Sequence, residues 1–89
     1  MEASDKRRLR ARAHHLKPVV LLGQHGLTEA VFAEIDIALS HHELIKIRVN
    51  ANDREERNTM IQEICTRLNS QLVQRIGHVA TLYRENPQD

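Results

Sequence analysis

The spacing of apolar positions changes repeatedly along the chain, and each change marks an element. Over residues 4–16, Leu9, Ala13 and Leu16 recur at helical spacing among arginines, which predicts a first helix with a narrow apolar stripe. Pro18 ends it, because proline disfavours the α conformation at Lys17 before it. Val19-Val20-Leu21-Leu22 is unbroken apolar sequence and reads as a strand covered on both faces, central or sandwiched, with the first helix over one face. Thr28 then caps a second helix whose buried stripe is Val31, Phe32, Ile35, Ala38 and Leu39 and whose last turn holds His41 and His42. Residues 44–50 alternate, with Ile45, Ile47 and Val49 on one side and Lys46, Arg48 and Asn50 on the other, which predicts a second strand. Asp53, with Glu56 three residues on, opens a third helix that runs to about Ser70 and buries Met60, Ile61, Ile64, Cys65 and Leu68. Two short strands, 72–76 and 79–84, close around a Gly77-His78 hairpin turn.

The order is therefore α-β-α-β-α-β-β. Strand–helix–strand units pair in parallel and the closing hairpin pairs antiparallel, so the sheet is mixed and the class is α/β. With 89 residues the chain reads as a single domain over 1–89, residues 1–5 and 86–89 being frayed ends. No apolar run approaches the roughly 20 residues of a membrane span, and no signal-peptide segment follows the basic N-terminus. The lone cysteine, Cys65, has no partner for an internal disulfide. A cytoplasmic location without membrane contact is the expectation.

Net charge is only +1, but it is unevenly distributed. Residues 1–17 carry six Lys and Arg against two acids, whereas residues 18–45 carry four acids and no Lys or Arg. The basic end suits an anionic partner.

Between the first strand and second helix lies Gly23-Gln24-His25-Gly26. Two glycines three apart let backbone N–H groups approach a phosphate, and the following helix N-terminus favours negative charge. Loops of this kind clamp nucleic-acid backbones in some small domains. Aromatic residues make up only 2% of the chain, Phe32 and Tyr83, too few for base-stacking sheet modules. Recognition of backbone and shape is thus expected, with little base specificity. The six histidines include two adjacent pairs that diverge on a helix, and none completes a metal set. Cys65 lies on an apolar stripe, and no catalytic constellation accompanies it. Neither a metal, a cofactor, a small-molecule substrate nor an enzymatic activity is expected.

Lys17-Pro18-Val19-Val20-Leu21-Leu22-Gly23-Gln24-His25-Gly26-Leu27-Thr28 resembles the opening signature of the CRM domain, named for chloroplast RNA splicing and ribosome maturation. His41-His42-Glu43-Leu44-Ile45-Lys46-Ile47 resembles its second-strand signature, and Ile76-Gly77-His78 with Leu82-Tyr83-Arg84 its closing hairpin. The likeness spans about residues 6–85 and is similar to the free-standing, bacterial YhbY-type members. It implies a four-stranded mixed sheet similar to the C-terminal domain of translation initiation factor three. It also implies binding to structured RNA, with precursor large-subunit rRNA and the pre-ribosomal particle as partners and subunit assembly as the role. The family's RNA surface maps here onto Gly23, Gln24, His25 and Gly26, with Lys17 and Lys46 as signature lysines. The chain departs from the pattern in two places. Such loops often hold a Lys or Arg between the glycines, where this one has Gln24 and His25, and the chain closes on Asn86-Pro87-Gln88-Asp89 instead of a basic extension.

Both departures shift the expected attraction to Arg8, Arg10 and Arg12 of the first helix, with Lys46 and Arg48 extending the track. Arg75 and Arg84 are further candidates on the last hairpin. The alternative is a protein-interaction module that docks basic ribosomal proteins through Glu29, Glu34 and Asp36 on the second helix.

Overall fold

In the computed structural model, residues 2–23 and 25–87 are described. The elements follow the predicted order: α1 (Ala3–Ala13), β1 (Pro18–Leu22), α2 (Glu29–His42), β2 (Leu44–Val49), α3 (Arg54–Arg67), β3 (Gln71–Ile76) and β4 (Val79–Tyr83). Both predicted caps form. The Thr28 hydroxyl accepts the Val31 N–H at 3.1 Å, and the Asp53 carboxylate accepts the Glu56 N–H at 2.7 Å. Each satisfies a donor that the first turn leaves without an intrahelical partner.

Two helices end earlier than their apolar spacing predicts. α1 stops at Ala13, the last residue of its buried stripe, and Leu16 lies beyond it in a turn, 38% exposed. α3 stops at Arg67 because Asn69 takes a left-handed conformation (φ 53°) and the Ser70 N–H returns to the Cys65 carbonyl at 3.0 Å. This is the 6→1 bond of a Schellman end, with Asn in the place usually taken by Gly. α2 passes into β2 through the single residue Glu43 (φ 61°).

The four strands lie in the order β1-β2-β4-β3. β1 and β2 are parallel, and β4 runs antiparallel to both of its neighbours. The hairpin strand β4 therefore enters between β2 and β3 and leaves β1 at an edge. One face carries Val20, Leu22, Ile45, Ile47, Val49, Ala80 and Leu82, packed on Phe32, Ile35 and Leu39 of α2 and Ile61 and Ile64 of α3.

The other face is only partly covered. α1 docks Leu9 and Ala13 on Leu44 of β2, Val73 of β3 and Tyr83 of β4, and packs mainly on β2 and β3. This corrects the expectation of a first strand covered on both faces. Val19 and Leu21 are 51% and 64% exposed, because β1 is an edge strand and the short stripe of α1 lies over its neighbours.

Candidate nucleic-acid interface

Three connections meet at the end of the sheet where β1 and β2 finish. The Asn50 N–H reaches the Leu22 carbonyl at 3.3 Å, and the Val49 N–H reaches the His78 carbonyl at 2.7 Å. Nδ1–H of His78 donates back to the Val49 carbonyl at 3.1 Å. The glycine loop lies at this end, beside the start of α2. The Gly26 N–H donates to the Gly23 carbonyl at 3.1 Å, which closes the loop as a four-residue turn. Gly26 has φ 67°, a conformation that glycine adopts without a Cβ penalty. A Cβ at Gly23 would meet nothing within 4 Å, so that backbone is open to a ligand. His25 is exposed. Gln24, expected to contribute to the RNA surface, lies outside the described residues.

The fixed cations gather mainly at the other end of β1. Lys46 points to the face that carries α1, since its neighbour two residues back, Leu44, packs under that helix. It lines a cavity of about 560 Å³ with Arg7, Arg10 and His14 of α1 and its C-terminal turn, floored by Thr81 and Gln74. It also lines a second cavity of about 410 Å³ with Arg12 and Lys17. Arg48 follows on the same face, in register with Leu21 of β1, and its Nε reaches the Asn50 side chain at 3.4 Å. It thus stands between the cavities and the glycine loop.

The structure therefore brings Arg10, Arg12, Lys17 and Lys46 together and separates Arg8 from them. Arg8 pairs with Asp5 at 3.5 Å and lines neither cavity. Arg10 and Arg12 flank the buried stripe from opposite sides, as positions two apart on a helix must. Arg7, absent from the expected set, shares a cavity with Arg10, and their three-residue spacing was a legible signal.

Other candidates are committed inside the fold. Arg75 donates to the Gly77 carbonyl at 2.9 Å and braces the hairpin turn. Arg84 binds Asp36, Ser40 and the Leu68 carbonyl. Two of the three acids on α2 are likewise engaged, Asp36 with Arg84 and Glu29 with Arg67, whose guanidinium also stacks 4.0 Å above the Phe32 ring. Glu34 alone of the three has no ion-pair partner among the described residues.

Among the described residues no group of three or more His, Cys, Asp or Glu is placed to hold a metal. Burial pushes the Cys65 thiol up, with the Ser70 hydroxyl opposing, which disfavours the nucleophilic thiolate.

Residues 1–84 match the CRS1 / YhbY (CRM) domain. The chain belongs to the CRM family of RNA-binding domains. As a CRM domain it is 49% identical over 84 residues to an RNA-binding protein of Haemophilus influenzae, covering 94% of this chain and 85% of that one. It is 43% identical over 83 residues to a Pseudomonas aeruginosa protein named a probable RNA-binding protein, covering 93% and 80%. The solution structure of a Staphylococcus aureus protein superposes on this CRM domain with a TM-score of 0.86 at 31% identity, covering 100% of this chain and 93% of that one. The α/β fold with a four-stranded mixed sheet is thus shared with that structure.

Proposed function

We propose that this CRM domain binds structured rRNA through the α1 face of its sheet and assists assembly of the large ribosomal subunit in the cytoplasm. The observation that carries the reading is the convergence of Arg10, Arg12, Lys17 and Lys46, from α1, the segment after it and β2, on two adjoining cavities. Fixed cations on a rigid face attract phosphates regardless of sequence. The Gly23–Gly26 turn adds an open backbone approach, and Arg48 links the two regions. The relatives named as RNA-binding proteins support the same partner class. Held against this face, a segment of precursor rRNA would keep a folding-competent shape until neighbouring elements dock. The protein makes and breaks no bond in this role.

The test is crosslinking in cells followed by mapping of the crosslinked RNA. Sites confined to precursor large-subunit RNA are expected. Crosslinks spread evenly over cellular RNA, or found only on mature subunits, would reject the assembly role. Titration of the purified protein with rRNA fragments at low salt tests RNA binding itself, and no binding there would reject the whole reading.

A further inference from the structure

The cavity at the N-terminal end of β1 holds two side chains that the interface above leaves unused. His15 enters it from the turn after α1, and His42 from the last turn of α2. They meet there with Arg12, Lys17 and Lys46, and among the described residues no Asp or Glu lines the cavity. His15 also lines the neighbouring cavity, where Arg7 and Arg10 of α1 face it. His14 packs edge-on against His15 with ring centres 5.1 Å apart, and His41 lies 6.2 Å from His42. The one acid adjoining His42, Glu43, accepts the Asn86 N–H at 2.7 Å. Three fixed cations and two imidazoles, with no lining carboxylate, make a site for an anion.

β1 connects this cavity to the glycine loop. Its span from Pro18 to Leu22 is about 13 Å at the usual rise of a strand, short enough for one extended RNA strand to bridge. Between the two ends, Val19 and Leu21 stand exposed on the cavity's side of the sheet, with Arg48 in register beside Leu21. Exposed apolar side chains on an edge strand are a liability unless something covers them.

We propose that the cavity is a second phosphate site for the RNA strand held by the Gly23–Gly26 loop, with His15 and His42 as proton-dependent phosphate ligands. The inference rests on the RNA-binding reading above. The strand runs along β1, its sugars and bases over Val19 and Leu21 and a phosphate at each end. A neutral imidazole offers a phosphate at most one hydrogen bond, whereas the protonated ring adds a charge and a second donor. RNA binding at this site therefore strengthens with protonation of the two rings.

The experiment is an anisotropy titration of the whole protein against a labelled hairpin RNA with a single-stranded flank. It is run near pH 6 and near pH 8 at fixed ionic strength. The wild type should bind about tenfold more tightly at the lower pH. His15→Gln with His42→Gln should lose most of that gain. His41→Gln, outside the cavity, should keep it. A double variant that retains the full pH dependence overturns the proposal. Ring signals of His15 and His42, followed by NMR, distinguish the phosphate sources. They should move with the RNA. Movement with inorganic phosphate but not with RNA would make the cavity a free-anion site and overturn the RNA assignment. A wild type that binds no RNA at either pH rejects the underlying reading too. Binding that needs Arg10 and Lys46 but ignores both histidines rejects this inference alone.

Discussion

Arg84 at the end of β4 donates from Nη1 to the Asp36 carboxylate of α2 at 2.6 Å. The same nitrogen reaches the Leu68 carbonyl at the end of α3 at 3.1 Å, and Nη2 reaches the Asp36 carbonyl and the Ser40 hydroxyl. One guanidinium, with its side chain 18% exposed, thus ties the sheet to α2 and to the end of α3 on the core side. Arg84→Ala should lower stability by about 2 kcal/mol, since several charge-assisted bonds are lost and two carbonyls are left without this donor. Asp36→Asn should cost less than about 1 kcal/mol, because the half-exposed Asp36 keeps an acceptor oxygen. Urea denaturation checks both. Equal costs would mean that the ion pair, and not the carbonyl bonds, carries the contribution.

The two loop glycines separate folding from binding. Gly26→Ala places an L-residue at φ 67° and should destabilise by about 1 kcal/mol. Its Cβ would make only an ordinary contact, 3.9 Å from Cε of Met60, so the strain is confined to the backbone. Gly23→Ala meets no neighbour and no left-handed φ, and should leave stability within about 0.5 kcal/mol. Its methyl instead fills the open approach to the backbone, so RNA affinity should fall about tenfold. Equal RNA binding by Gly23→Ala and wild type would remove the loop from the interface.

Element order, both helix caps and the hairpin turn were legible in the sequence, because each is a local signal in spacing or in turn and cap residues. The edge position of β1 was not. Val19-Val20-Leu21-Leu22 has the apolar continuity of an interior strand, and only the insertion of β4 between β2 and β3 puts it at the margin. The basic character of α1 was equally plain, but its arginines read as one group when the helix divides them. Arg8 turns to Asp5, while Arg10 and Arg12 line different cavities. The partners of Arg84 lie on elements distant in sequence, and nothing local to residue 84 marks it as structural. His15 and His42 likewise meet only because α1 and α2 end at the same end of the sheet.

Cys65 sets the alkaline limit of one stabilising contribution. Its thiol value is raised in the folded chain, mainly by burial, so above about pH 8.5 the unfolded chain loses this proton first. The native state then holds more protons than the unfolded state, and stability must fall as pH rises through that window. Cys65→Ala should flatten the fall while costing about 1 kcal/mol at neutral pH for lost packing. Denaturation midpoints across the alkaline range check the sign. A wild type whose stability rises there, after the same comparison with Cys65→Ala, would contradict the burial of the thiol.

The division of the arginines makes a prediction about salt. Each phosphate neutralised contributes about 0.7 to 0.9 to the slope of log K against log salt concentration. Arg10 and Arg12 line the cavities with Lys46, so Arg10→Ala with Arg12→Ala should reduce the slope by about 1.5. Both side chains are exposed and in no ion pair among the described residues, so folding should be unaffected. Arg8→Ala should change the slope by less than about 0.5, because Arg8 is directed to Asp5 and away from both cavities. Salt titrations of RNA binding by the three proteins check this directly. If Arg8 carried as much of the slope as Arg10 or Arg12, the RNA would have to wrap the outer side of α1 instead of the groove between α1 and the sheet. The cavities around Lys46 would then not be the interface.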